Sequence, residues 1–204
     1  MARVRADDYN DKRDAIRIKA AMVFANAGGN RASMDDIARE CGVSKALLYH
    51  YYGGKNDLIF DIICTHLTGI ENALAAVDRS GTSEQTLRNL CVALLDQYKD
   101  ADDLHRVQMN SLNNLPKDQA AKIRQCERLI VGVFTDVIIE FEPKLRQSRS
   151  LLIPITMSLL GMLNWAFMWF SPDRGMSRFE YANLAATLAI EGIRKLKDEI
   201  PQNR

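Results

Sequence analysis

Apolar residues return at intervals of three and four along almost the whole chain, and the strict alternation of a strand appears nowhere. Ile16, Ala20, Val23, Phe24 and Ala27 form one helical face that ends at Gly28-Gly29, after a charged, partly mobile lead-in from Arg3 to Arg13. Met34, Ile37, Ala38 and Cys41 form the next at i, i+3, i+4 and i+7. Ser33 stands before that face as an N-cap. Gly42 follows it, where a left-handed helix end needs a residue without Cβ. Val43 and Leu48 anchor a short helix that Ser44 can cap and that runs to about Tyr52. Asn56 can cap a fourth helix carrying Ile59, Ile62, Ile63 and Ile70, fading near Asp78. Further helices are predicted over 84–99 (with Ser83 as cap), 102–113, 116–142, 147–170 and 177–197, punctuated by Pro143, Pro172 and Gly175. The expected fold class is all-α.

Two short helices across a glycine turn make a helix-turn-helix, whose second helix fits a DNA major groove. Lys45 can donate to guanine or phosphate, Ala46 and Leu47 offer apolar surface to a thymine methyl, and Tyr49, His50 and Tyr51 add donors and flat rings. Lys55 opens the following helix, where a phosphate would meet it together with free amides. Ser33 and Ser44 can aim capped amides at the same backbone. Arg3, Arg5, Lys12 and Arg13 can touch phosphate or simply form a solvated arm. The tyrosines also have a packing alternative, which is the better reading for Tyr52.

Ile37-Ala38, Gly42-Val43-Ser44, Leu48-Tyr49 and Lys55 resemble the DNA-binding domain of TetR-family transcriptional regulators. Ala46 stands where that family often has glycine, Tyr52 where it usually has phenylalanine, and Gly53-Gly54 loosens the link to the next helix. The resemblance implies an N-terminal three-helix helix-turn-helix domain over 1–55, a connecting helix over 56–78, and an effector-binding and dimerisation domain over 79–204. It also implies that Tyr49 and Tyr51 meet phosphate, that double-stranded operator DNA is the partner, and that the last two helices form a homodimer. That pairing suits the apolar stripe Tyr181, Leu184, Ala185, Leu188 and Gly192, and a preceding helix apolar on nearly every side.

Composition narrows the alternatives. The chain has 204 residues, 47% of them hydrophobic, and a net charge of +1, so nucleic-acid contact must be a local patch. Cys41, Cys64, Cys91 and Cys126 sit singly in apolar helical patterns and suit reduced thiols in a cytoplasm. His50, His66 and His105 have no helical ligand spacing, so neither a metal site nor a cofactor is expected. No nucleophile elbow, phosphate loop or zinc-protease helix is present, and an enzyme is not expected. Residues 151–170 lack charge over a length that can span a bilayer, but Pro154, Gly161 and Asn164 favour a buried helix and no membrane partner.

The second half suits a small-molecule cavity. Tyr98, Met109, Leu112, Phe134, Trp165 and Met168 are candidate apolar walls, and His105, Gln108, Arg124, Arg128 and Asn164 candidate polar contacts. Residue by residue, ordinary core packing competes with that assignment; Asn164, an amide in a charge-free helix, must find hydrogen-bond partners either way. The runs 161–177 and 105–116 resemble TetR regulators of fatty-acid, steroid and phenylacetate breakdown. That likeness implies a CoA-thioester effector, an acyl-CoA or phenylacetyl-CoA, with Arg106, Arg124 and Arg128 near its nucleotide. The expected protein is a repressor released by its effector, although the sign of the response stays open. The alternative is a helical adaptor or ligand-binding protein without DNA-binding activity.

Overall fold

The computed structural model describes residues 2–27, 31–171, 173 and 175–196, with side chains from Tyr9 onward. The expectations at Arg3, Arg5, Gly28, Gly29, Pro172 and Lys197 lie outside the described residues or side chains. Among those described the chain is all-α. The helices are α1 (Ala2–Asn26), α2 (Met34–Cys41), α3 (Lys45–Tyr51), α4 (Lys55–Ala75), α5 (Ser83–Gln97), α6 (Asp102–Ser111), α7 (Lys117–Phe141), α8 (Arg149–Asn164) and α9 (Arg178–Leu196). The charged lead-in is not an arm but the first turns of α1. No glycine or proline precedes Gly28, and its alanine, arginine and lysine residues favour a helix.

Two compact units divide the chain, with boundaries inside α4, between α5 and α6, and inside α7. The first comprises Met1–Thr68 and Asp100–Gln125. In it α1 packs on α2, α2 on α3, and α6 on α1. Ile16, Ala20, Phe24, Ile37, Leu48, Leu58 and Ile62 form its core beside Val107 of α6. Residues 100–125, which fall within the 79–204 stretch, thus fold with the helix-turn-helix.

The second unit comprises Gly69–Lys99 and Cys126–Arg204. Here α5 and α9 pack together and α8 packs on both. Leu87, Leu90 and Leu94 of α5 are fully buried, and Ala182, Ala185 and Ala186 of α9 are small enough to let helices approach closely. Arg88 of α5 reaches Thr187 Oγ1 at 2.7 Å, and Tyr181 of α9 donates its hydroxyl to the Met162 carbonyl at 2.8 Å.

The helix expected over 147–170 stops at Asn164 and tightens into a 3-10 turn at Trp165–Met168. The tighter turn brings Trp169 and Phe170 against Tyr181, with ring centroids 5.1 and 5.5 Å away. Tertiary packing of the three rings thus accompanies the break in a continuous apolar pattern. α4 and the stretch Arg149–Met168 are long and apolar enough to cross a membrane. Yet α8 buries one side, through Leu152, Thr156, Leu159, Leu160 and Leu163, within its own unit.

Candidate nucleic-acid interface

Local chemistry delimits α2 and α3 at both ends. The Ser33 hydroxyl accepts from the Asp36 amide at 3.2 Å while the Asp36 carboxylate accepts from the Ser33 amide at 2.9 Å, a reciprocal capping box. The hydrogen bonds from Ser33 hold the Asp36 carboxyl down to about 2. Gly42 ends α2 at φ +69°, a left-handed conformation costly for a side chain, and its amide bonds back to Ala38 and Arg39. Ser44 then caps α3 by accepting from the Leu47 amide at 3.1 Å.

α3 holds on to the fold through Leu48, which has no exposed surface, and through the C-cap residue Tyr52. That leaves Lys45, Ala46, Leu47, Tyr49 and His50 exposed and Tyr51 half-buried. All are sequence candidates, and the structure gathers them on one short helix. The two lysines differ. Lys45 pairs with Asp35 at 2.9 Å, which raises its pKa, so a phosphate must compete with a carboxylate for it. Lys55 lies half-buried at the start of α4, its ammonium 5.7 Å from the centre of the Phe24 ring, and burial lowers its pKa.

A network that the sequence reading did not assemble braces this surface from behind. The Tyr52 hydroxyl donates to Asp61 of α4 at 2.9 Å, and Arg13 of α1 donates to the same carboxylate at 2.6 Å. Arg17 adds a third charge at 3.9 Å, while the Arg13 guanidinium lies 5.7 Å from the centre of the Tyr52 ring. Burial pushes the Tyr52 phenol up, so it stays a donor. The available signal was the hydroxyl itself. A tyrosine where phenylalanine is usual needs a partner once its ring is buried.

The effector candidates are distributed over both units. In the first, His105 is buried with its ring 5.4 Å from that of His66, Gln108 and Leu112 are half-buried, and Met109 and Arg124 are exposed. In the second, buried Tyr98 donates its hydroxyl to Asn164 Oδ1 at 2.6 Å, which supplies a partner for that amide. Phe134 is wholly buried, and Arg128, Trp165 and Met168 are exposed. Arg106 forms an ion pair with Asp103 at 3.6 Å.

Residues 16–62 match the model of bacterial regulatory proteins of the tetR family, and residues 80–193 match that of the tetracyclin repressor-like C-terminal domain. The chain belongs to the TetR family. It is 23% identical over 170 residues to the HTH-type transcriptional activator FasR of Mycolicibacterium smegmatis, covering 83% of this chain and 77% of FasR. A TetR-family transcriptional regulator from Bordetella parapertussis superposes with a TM-score of 0.82 at 29% identity, over 90% of this chain and 96% of that one. AibR, solved in complex with isovaleryl coenzyme A and operator DNA, shares the fold at a TM-score of 0.73 and 22% identity, over 87% and 97% of the two chains. This TetR-family chain is therefore a transcriptional regulator with a helix-turn-helix and a ligand-binding C-terminal domain, and its relatives are regulators, not enzymes.

Proposed function

We propose that this regulator is a cytoplasmic dimeric repressor that binds a palindromic operator through residues 1–55 and is released by a CoA thioester. The observation that carries the DNA assignment is the exposed face of α3, where Lys45, Leu47, Tyr49 and His50 stand in solvent around the single buried Leu48. Phosphate contacts from Tyr49, Tyr51, Lys55 and the capped amides behind Ser33 and Ser44 set the register. Lys45, Ala46 and Leu47 face the base edges.

The dimer is assigned to α8 and α9. Ile153, Met157, Leu184 and Leu188 are exposed apolar residues there. A groove of about 340 Å³ runs between Pro154, Ile155 and Met162 on one helix and Leu188, Gly192 and Ile193 on the other. A second copy would cover this surface and set two recognition helices about 34–36 Å apart, one turn of B-DNA. Effector binding in the 79–204 segment would release DNA to the extent that the ligand prefers the state in which that separation is spoiled. The fold shared with AibR, solved with isovaleryl coenzyme A, supports the thioester class. The exposed Arg124 and Arg128 are the residues assigned to its nucleotide.

The test is a fluorescence-anisotropy titration of operator DNA with and without phenylacetyl-CoA, isovaleryl-CoA and a long-chain acyl-CoA. Release by one of them is the expected result. Tighter binding would reverse the sign of the ligand response, and specific binding that ignores all three would discard the thioester. Absence of any sequence-specific, salt-dependent binding would leave the adaptor reading. Tyr49→Ala and Lys55→Ala should weaken binding while folding is retained.

A further inference from the structure

The matched family segment begins at residue 16, but α1 begins at Ala2, and an aromatic residue on this added length reaches the reading surface. The Tyr9 ring lies 4.6 Å from the Tyr51 ring, tilted by 37°, and 6.2 Å from the His50 ring, edge-on at 83°. His50 and Tyr51 meet each other edge-on at 5.6 Å. Three rings thus close a cluster in which two members come from α3 and the third from outside the matched domain.

Tyr9 is 39% exposed, so burying it adds little to the core. His50 is exposed and Tyr51 half-buried at the end of a helix of seven residues, which has few internal restraints of its own. Long side chains there sample several rotamers, and ordering them at the moment of binding costs affinity. A ring packed against both removes that freedom beforehand. α1 can supply such a ring at a defined place because the helix turns that follow Tyr9 are anchored in the first unit. Ile16, Ala20 and Phe24 are buried, and Arg13 is bonded to Asp61 of α4.

We propose that Tyr9 is a positioning residue for DNA recognition, holding the rings of Tyr51 and His50 in the orientation they use on the operator. The inference rests on the assignment of α3 as the reading helix. The ring acts and the hydroxyl does not, and Tyr9 itself takes no phosphate.

The experiment uses the full-length protein and a duplex that the wild-type protein selects from a randomised pool. Affinity is measured across a salt series for wild type, Tyr9→Ala and Tyr9→Phe, with thermal unfolding of each. Tyr9→Ala should bind about fivefold more weakly, as expected for loss of an aromatic pair, with the salt slope and unfolding midpoint unchanged. Tyr9→Phe should restore wild-type affinity. Equal binding by wild type and Tyr9→Ala overturns the inference while leaving α3 as the reading helix. Loss in Tyr9→Phe as large as in Tyr9→Ala, or a salt slope reduced by about one, overturns it in favour of a direct contact. An unfolding midpoint lowered in step with affinity overturns it in favour of a packing role. If the wild-type protein selects no duplex, the DNA assignment itself fails and the inference fails with it.

Discussion

α3 has 7 residues and buries one of them, Leu48, whereas α8 has 16 and buries Leu152, Thr156, Leu159, Leu160 and Leu163. What each leaves outside differs more than the lengths do. Beside the apolar Leu47, α3 shows solvent an ammonium, a phenol and an imidazole, while α8 shows Ile153 and Met157 along its length and keeps its charge and its amide, Arg149 and Asn164, at its two ends. Of the three hydroxyls on α8, that of Thr156 faces the core, where it has no exposed surface and donates to the Leu152 carbonyl at 2.9 Å, while Ser150 and Ser158 stay exposed. A helix that meets a hydrated polyanion keeps its donors outside, where they can exchange water for phosphate. A helix that meets another apolar surface must satisfy its polar groups before it arrives, since an unpaired one would be costly at the contact. Exposure alone thus says little about partner, and the chemistry of the exposed side chains says a good deal.

The largest effect should come from giving α8 the kind of surface that α3 has. Met157 is 50% exposed and Leu188 56%, so a charge at either place leaves the isolated chain folded. At a dimer contact an unpaired charge costs several kcal/mol, so Met157→Glu or Leu188→Glu should weaken self-association by roughly a hundredfold or more. Sedimentation equilibrium reads this directly. Unchanged association would remove α8 and α9 from the interface. The converse change removes what α3 shares with the core. Leu48→Ala should destabilise the first unit by about 3 kcal/mol, the usual cost of a large-to-small change at a fully buried site. Urea unfolding should show the loss, and the association of α8 and α9 should survive it.

Acid should separate the two regions next. All three histidines, His50, His66 and His105, belong to the first unit. Burial holds the His66 and His105 imidazoles down to about 4, with the neighbouring His66 adding to the effect on His105. The unfolded chain takes up those protons near pH ~6.5. Their contribution is therefore complete above about 6.5 and is lost as pH falls towards about 4. Urea midpoints compared at about pH 7.5 and about pH 5 should fall more for probes in the first unit than for probes in the second. Replacing both histidines with glutamine should flatten that difference.

The same contrast explains what could be read from residues alone. The helix-turn-helix is written in local rules: two serine caps, one glycine in a left-handed turn and a 3.6-residue period. Each is decided within a few positions, and the ends of α2 and α3 follow from them. α1 was misread at its start because charge suggested a solvated arm, while helix propensity, with no breaker before Gly28, carried the helix through. The end of α8 departs from the sequence pattern because apolar periodicity continues past Asn164, whereas the tighter turn there sets Trp169 and Phe170 against Tyr181. Asn164 was legible as a polar group in need of a partner, but the partner, Tyr98, lies 66 positions away. The Tyr52–Asp61–Arg13 network and the Tyr9 ring cluster share that limit. They join residues from different helices, and no period within one helix encodes them.

The smallest effect concerns how the two helices begin. α3 starts with a serine whose hydroxyl takes up the Leu47 amide. α8 starts with Ser148, which makes no side-chain cap and lies buried. A helix of α3's length gains little from its own hydrogen bonds, so each end must be secured locally. α8 is long enough, and its side deep enough in the core, for packing to hold it. Ser44→Ala should therefore cost about 1 kcal/mol and loosen α3 selectively, visible as faster amide exchange at Leu47 and the residues after it. Ser148→Ala should change stability by only a few tenths of a kcal/mol, because its hydroxyl caps nothing. Equal losses from the two alanines would mean that α3 is held by packing in the same way as α8. Its exposed face could then not be treated as a surface kept ordered by its ends for another molecule to read.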